Sequence, residues 1–143
     1  MQDVRQKIVT KIFPQLVYLC ANIVIYIDKA ALHDTTYVKR VEDFALRSTA
    51  TEGSGEKPTL IIVQNFANPS QQADLSAYEI DKSSNDFCEA NRESSVVEII
   101  NSYYQGGVTV AKLPEYDSNP LLYETQLNRI KVSRTTFILL IYD

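Results

Sequence analysis

Tryptophan is absent from this 143-residue chain, and glycine, cysteine and histidine are scarce, at four, two and one residues. With so few glycines there is little material for a loop of backbone N–H groups around a phosphate. The GxxxxGK[ST] pattern that sets such a loop between a strand and a helix does not occur. Gly53-Ser54-Gly55-Glu56-Lys57 imitates a fragment of it with the wrong spacing. A helical pattern precedes that stretch, and Pro58 and a strand-like run follow, so no helix N-terminus stands ready for an anion. The lone His33 has no identifiable partners for a triad or a metal site. Cys20 and Cys88 lie far apart in no ligand spacing and read as two buried or half-buried thiols of a reducing compartment. Lys and Arg form no run, and the net charge of −4 with a pI near 5.0 excludes the basic stripe of a dedicated nucleic-acid binder. No spaced pair of acids marks two strand ends, which removes a glycosidase-type argument. Long apolar runs are missing too. The longest, Leu16 to Ile27, covers about 12 residues and is interrupted by Asn22, whereas a bilayer span needs about 20. With no leader-like N-terminus, the expectation is a cytoplasmic protein without a membrane span.

What is present is a good supply of core material: 45% apolar residues, enough for one domain. Val4, Ile8, Ile12, Leu16 and Cys20 recur every four residues, with Phe13 and Val17 beside them, as on one face of an amphipathic helix. Pro14 inside that pattern predicts a kink or a split. Ile23-Val24-Ile25-Tyr26-Ile27 is continuously apolar, as a strand covered on both faces must be, and ends at Asp28, which is expected to cap the next turn. Asp34-Thr35-Thr36 predicts a helix start, with Val38, Val41, Phe44 and Ala45 as its apolar stripe. Residues 49–57 have the composition of an exposed loop. Thr59 to Val63 reads as a second buried strand, followed by a polar turn over 64–70. Residues 70–85 give no clear pattern. A helix is expected from Asp86 to Tyr104, stopped by Gly106-Gly107. Val108 to Leu113 reads as a third strand closed by Pro114, and Asn119-Pro120 opens a last helix through Leu121, Leu122, Leu127 and Ile130. Thr135 to Tyr142 fits a strand or a docked helix equally.

Strands alternating with helices imply an α/β fold with a mainly parallel sheet between helical layers. Ligands of such sheets sit at the carboxyl ends of the strands, which singles out the turns after Ile27, Val63 and Val110.

The stretch from Val4-Arg5-Gln6-Lys7-Ile8-Val9 through Phe13-Pro14-Gln15-Leu16-Val17-Tyr18 to Asn22-Ile23-Val24-Ile25-Tyr26-Ile27 resembles a segment of large GTPase domains. It is similar to the helix and strand that follow the switch II region in the guanylate-binding and very large interferon-inducible GTPases, fungal relatives included. The resemblance covers roughly residues 3–132 and consists mostly of hydrophobic pattern and element order. It implies the rear part of a P-loop NTPase-like domain over residues 1–133, lacking the phosphate loop, with residues 134–143 as a tail. It places base-side contacts at Asn65 and Phe66, where relatives carry Arg-Asp-Phe, and at Ala111 and Lys112, where GTPases carry Ser-Ala-Lys. An amide at Asn65 in place of a carboxylate would oppose a donor to guanine N1–H, a loss of about 1–3 kcal/mol. The functional expectation is a truncated or degenerate GTPase-like domain that does not hydrolyse nucleotide alone. No cofactor is expected for the chain by itself, and GTP with Mg²⁺ only if an upstream segment completes the site. Possible partners are then a guanine nucleotide, or a protein or second copy recruited by an open edge of a three-stranded sheet.

Overall fold

The computed structural model describes residues 2–31, 34–48, 55–66, 75–132 and 138–141. Its N-terminal helix runs unbroken as α1 (Gln2–Lys7), a π-helical segment (Ile8–Ile12) and α2 (Phe13–Cys20). Pro14 therefore does not split the helix into two pieces, one of the two outcomes expected. Its ring cannot donate to the carbonyl four residues back and crowds it. The turn before it widens instead, and the Phe13 N–H reaches back to the Ile8 carbonyl. The Thr10 carbonyl, which Pro14 cannot serve, takes a long contact of 3.4 Å from Arg47 Nη1.

Strand β1 (Ile23–Lys29) follows, then α3 (Thr36–Ser48), β2 (Thr59–Phe66), a 3-10 turn (Leu75–Tyr78), α4 (Ile80–Ala90), α5 (Ser95–Tyr103), β3 (Thr109–Pro114), α6 (Pro120–Val132) and β4 (Ile138–Ile141). The four strands form one parallel sheet in the order β3-β2-β1-β4. The expected α/β fold, a parallel sheet flanked by helices on both faces, is what forms. One face packs α2, α3 and α5 through Val17, Val41, Phe44, Val96 and Ile100 onto Val24, Leu60, Ile62 and Val110. The other packs α6 through Ile130 onto Ile23, Ile25, Ile61, Val63 and Ala111. Alternate strand residues thus serve opposite layers, which explains the continuous apolar runs.

Three expectations change. The helix from Asp86 to Tyr104 is two helices, because Asn91–Ser94 leave helical geometry and the Ser94 hydroxyl caps α5 by accepting from Val96 N at 3.2 Å. The residues read as a polar turn after Val63 extend β2 through Gln64, Asn65 and Phe66. The edge of β1, open in a three-stranded sheet, is paired with β4 in the register Val24↔Ile138 to Ile27↔Ile141. The opposite edge, on β3, is shielded by side chains: Val110 N donates to Ser84 Oγ at 2.9 Å, and the Lys112 carbonyl accepts from Gln126 Nε2 at 2.7 Å. Helix α5 ends at Tyr103 with extended Tyr104 as its C-cap, ahead of the expected glycine stop, and Gly106 and Gly107 follow in the turn to β3 with φ of 82° and 73°, values that favour glycine. Residues 49–54 and His33 lie outside the described residues.

Candidate functional site

The chain goes from β1 through β2 to β3 in one direction and returns to the other side of β1 for β4, so the strand order reverses at β1. In open parallel sheets the crevice at such a reversal is the usual ligand position. At β1 its carboxyl end carries Asp28, whose side chain is 8% exposed. Asp28 does not cap the following turn. Arg40 of α3 grips it with both arms, Nε to Oδ2 and Nη2 to Oδ1, each 2.8 Å, and the Tyr26 hydroxyl donates to Oδ2 at 3.1 Å. Arg40 Nη1 continues to Thr36 Oγ1 at 3.2 Å, and that hydroxyl donates to Asp34 Oδ1 at 2.6 Å. The two hydrogen bonds from Thr36, hydroxyl and backbone N–H, hold the Asp34 carboxyl below its ordinary range. The hydrogen bonds to Asp28 hold the Arg40 guanidinium firmly protonated. Burial, with Asp28 and Asp34 nearby, pushes the Tyr37 phenol up to about 12. Asp28 is thus committed to a bidentate pair and is not poised as a general base.

Beside Asp28 in register stands Gln64 of β2, and beside Gln64 stands Lys112 of β3. Gln64 is buried and donates from Nε2 to the Ala31 carbonyl at 2.7 Å, tying down the segment after β1. The four residues assigned to base contacts divide. Asn65 and Lys112 are half-buried on neighbouring strands but one register step apart, so the sheet places them on opposite faces and does not bring them together. The Asn65 amide donates to the Leu113 carbonyl at 3.1 Å, extending the β2–β3 ladder. Phe66 is buried and stacked on Tyr78, with ring centroids 5.9 Å apart. Ala111 is fully buried in the layer beneath α6. Arg40 and Gln126 were not legible as site residues, since each acts on a partner remote in sequence. Among the described residues no three metal-ligating side chains converge. No helix among them is long and apolar enough to cross a membrane.

The second candidate surface is the N-terminal helix. Its period-four stripe does not face the core. Ile8 and Ile12 are each 48% exposed, Leu16 53%, and Val4, Val9, Phe13 and Leu19 also lie open. Only Pro14 and Val17 are buried, with Tyr18 packed against the core and donating its hydroxyl to the Tyr103 carbonyl at 2.6 Å. Most of the strongly exposed large apolar side chains of the described residues sit on this one helix. Two depressions flank it. One, of about 240 Å³, lies towards α3 between Pro14, Phe44, Arg40 and Arg47. The other, of about 290 Å³, is bounded by Arg5, Gln6, Val9 and Thr10.

No family model, no curated protein and no solved structure matches this chain.

Proposed function

We propose that this chain is a non-catalytic α/β domain that works by binding another protein on the outer face of its N-terminal helix. The observation that carries this reading is the solvent exposure of Val4, Ile8, Ile12 and Leu16, a strictly periodic apolar row on a helix that otherwise anchors itself through Val17 and Tyr18. Such a row contributes nothing to the fold of the isolated chain while it is wet. Replacing Ile12 and Leu16 by serine should therefore change unfolding free energy by less than about 0.5 kcal/mol, the usual range for exposed positions, and should abolish binding of a hydrophobic dye. A buried face would lose about 2–5 kcal/mol per truncated residue. Loss on that scale, or a wild-type chain that takes up no dye, overturns the reading.

The GTPase-like resemblance supplies a second reading, a residual base-side nucleotide site. What supports it is Asn65 near the carboxyl end of β2, half-buried rather than sealed, while Lys112, in register with Gln64, belongs to the opposite face of the sheet and gives it no support. Titration calorimetry with GTP and Mg²⁺ tests it. Micromolar binding that Asn65→Ala weakens supports the nucleotide reading, and no heat at millimolar GTP removes it.

A further inference from the structure

The chemistry around the helix face says what kind of surface it takes. Resting on the reading above, we propose that the occupant is an amphipathic helix with acidic flanks. The N-terminal helix satisfies its own backbone, so a strand cannot add to it. Rows of side chains spaced by four form the ridges that pack into the grooves of another helix. The face from Val4 to Leu19 is about 24 Å long at 1.5 Å per residue, enough for four turns of a partner. Cations border it. Arg5 lines one flanking depression, Lys11 lies beside Ile12, and Arg47 lines the other depression together with Asp43, whose carboxylate is already paired with Lys39 at 3.2 Å. None of these three forms an ion pair with a described carboxylate. This concentration of positive charge sits on a chain whose net charge is −4. A partner carrying Asp or Glu beside its apolar stripe therefore gains electrostatic complementarity along both rims.

A second copy brings the same cations, and the only described carboxylate bordering the depressions, Asp43, is already engaged by Lys39, while Asp81, Asp86 and Glu89 stand on α4. An anionic bilayer is less suited, because lipid-reading patches cluster about 4–8 basic residues and the rest of this chain is acidic.

The test uses the full chain and two synthetic 21-residue helical peptides with an identical Leu stripe, one flanked by Glu and one by Lys. Fluorescence anisotropy should give micromolar binding to the Glu peptide and at least about tenfold weaker binding to the Lys peptide, with the gap narrowing as salt rises. Ile12→Glu should abolish binding while the circular dichroism spectrum stays native. The charge reversal Arg5→Glu/Lys11→Glu should invert the preference between the peptides. Equal affinity for both peptides, or a preference untouched by the charge reversal, overturns the proposal. So does tighter binding to vesicles containing phosphatidylserine, or a doubled mass by light scattering that Ile12→Glu abolishes. If the hydrophobic dye binds the wild type but the Glu peptide does not, the acidic partner is wrong and the open-face reading stands. If neither binds, both fail.

Discussion

Replacing Arg40 by methionine strips Asp28 of two of its three hydrogen bonds and leaves the carboxylate facing only the Tyr26 hydroxyl. Removing one member of a fully buried ion pair costs about 3–5 kcal/mol, because the remaining charge has lost its compensation. Here the Arg40 side chain is 47% exposed while that of Asp28 is 8% exposed. Water can follow the departing guanidinium, which lowers the expected loss to about 2–3 kcal/mol. The double variant Asp28→Leu/Arg40→Met replaces the pair by apolar groups of similar bulk and should recover about 1–2 kcal/mol of that loss. Urea unfolding followed by circular dichroism measures all four members of the cycle. With a slope of about 2 kcal/mol per molar, Arg40→Met should lower the midpoint by about 1–1.5 M at unchanged slope. A shift below about 0.5 M, or a double variant as weak as the sum of the single ones, would show that the pair is an exposed contact and not the tie between β1 and α3.

Gln126 is fully buried and donates to both the Tyr78 and Lys112 carbonyls, so Gln126→Leu should cost about 2–4 kcal/mol and speed amide exchange along β3; a loss under about 1 kcal/mol would refute its role as a shield of the β3 edge. Tyr37 titrates near 12 in the folded chain against about 10 unfolded. Its contribution is complete below about pH 10 and fades as pH rises towards 12, so wild type should lose stability in that window faster than Tyr37→Phe. Equal alkaline slopes would contradict that sign. The Asp34 carboxyl is lowered by Thr36, so its cap on α3 holds above the ordinary carboxylate pKa and weakens as pH falls through the lower folded value. Asp34→Ala should therefore cost stability at pH 7 and progressively less on acidification, as urea midpoints at several pH values will report.

The central architecture was legible because it rests on local chemistry. Continuous apolar runs at Ile23–Ile27 and Thr59–Val63 and the Asp34-Thr35-Thr36 start each carry their meaning in adjacent residues, as does the Gly106-Gly107 turn that follows α5. Partnerships across the chain were not. Asp28 finds Arg40 twelve residues on, and Ser84 reaches Val110 N across a helix and a turn, with no local signal for either. The break between α4 and α5 was hidden because residues 91–94 contain neither Pro nor Gly, although Ser94 offered an N-cap. For the candidate site, the pattern found the strands but stopped them early: β1 runs to Lys29, β2 to Phe66 and β3 to Pro114, which draws Phe66 and Ala111 into the core and leaves Asn65 and Lys112 half-buried. The N-terminal stripe was legible as a face, not as a wet one. Periodicity reports which residues share a side and says nothing about which side meets solvent.

The π turn ahead of Pro14 bears directly on that stripe. In a regular α-helix a step of four residues overshoots a full turn by about 40°, so a strict four-residue repeat winds around the cylinder and no flat partner can follow it for long. A wider π turn takes up more residues per revolution, so the Ile8-to-Ile12 step undershoots and the drift reverses. Val4, Ile8, Ile12 and Leu16 are thereby held closer to one straight line than their spacing would otherwise permit. Proline at position 14 thus acts as a steering element. Restoring an N–H there, as in Pro14→Ala, should let the segment relax to ordinary pitch and rotate Val4 and Ile8 away from Leu16, so that a single long helix could no longer touch all four at once.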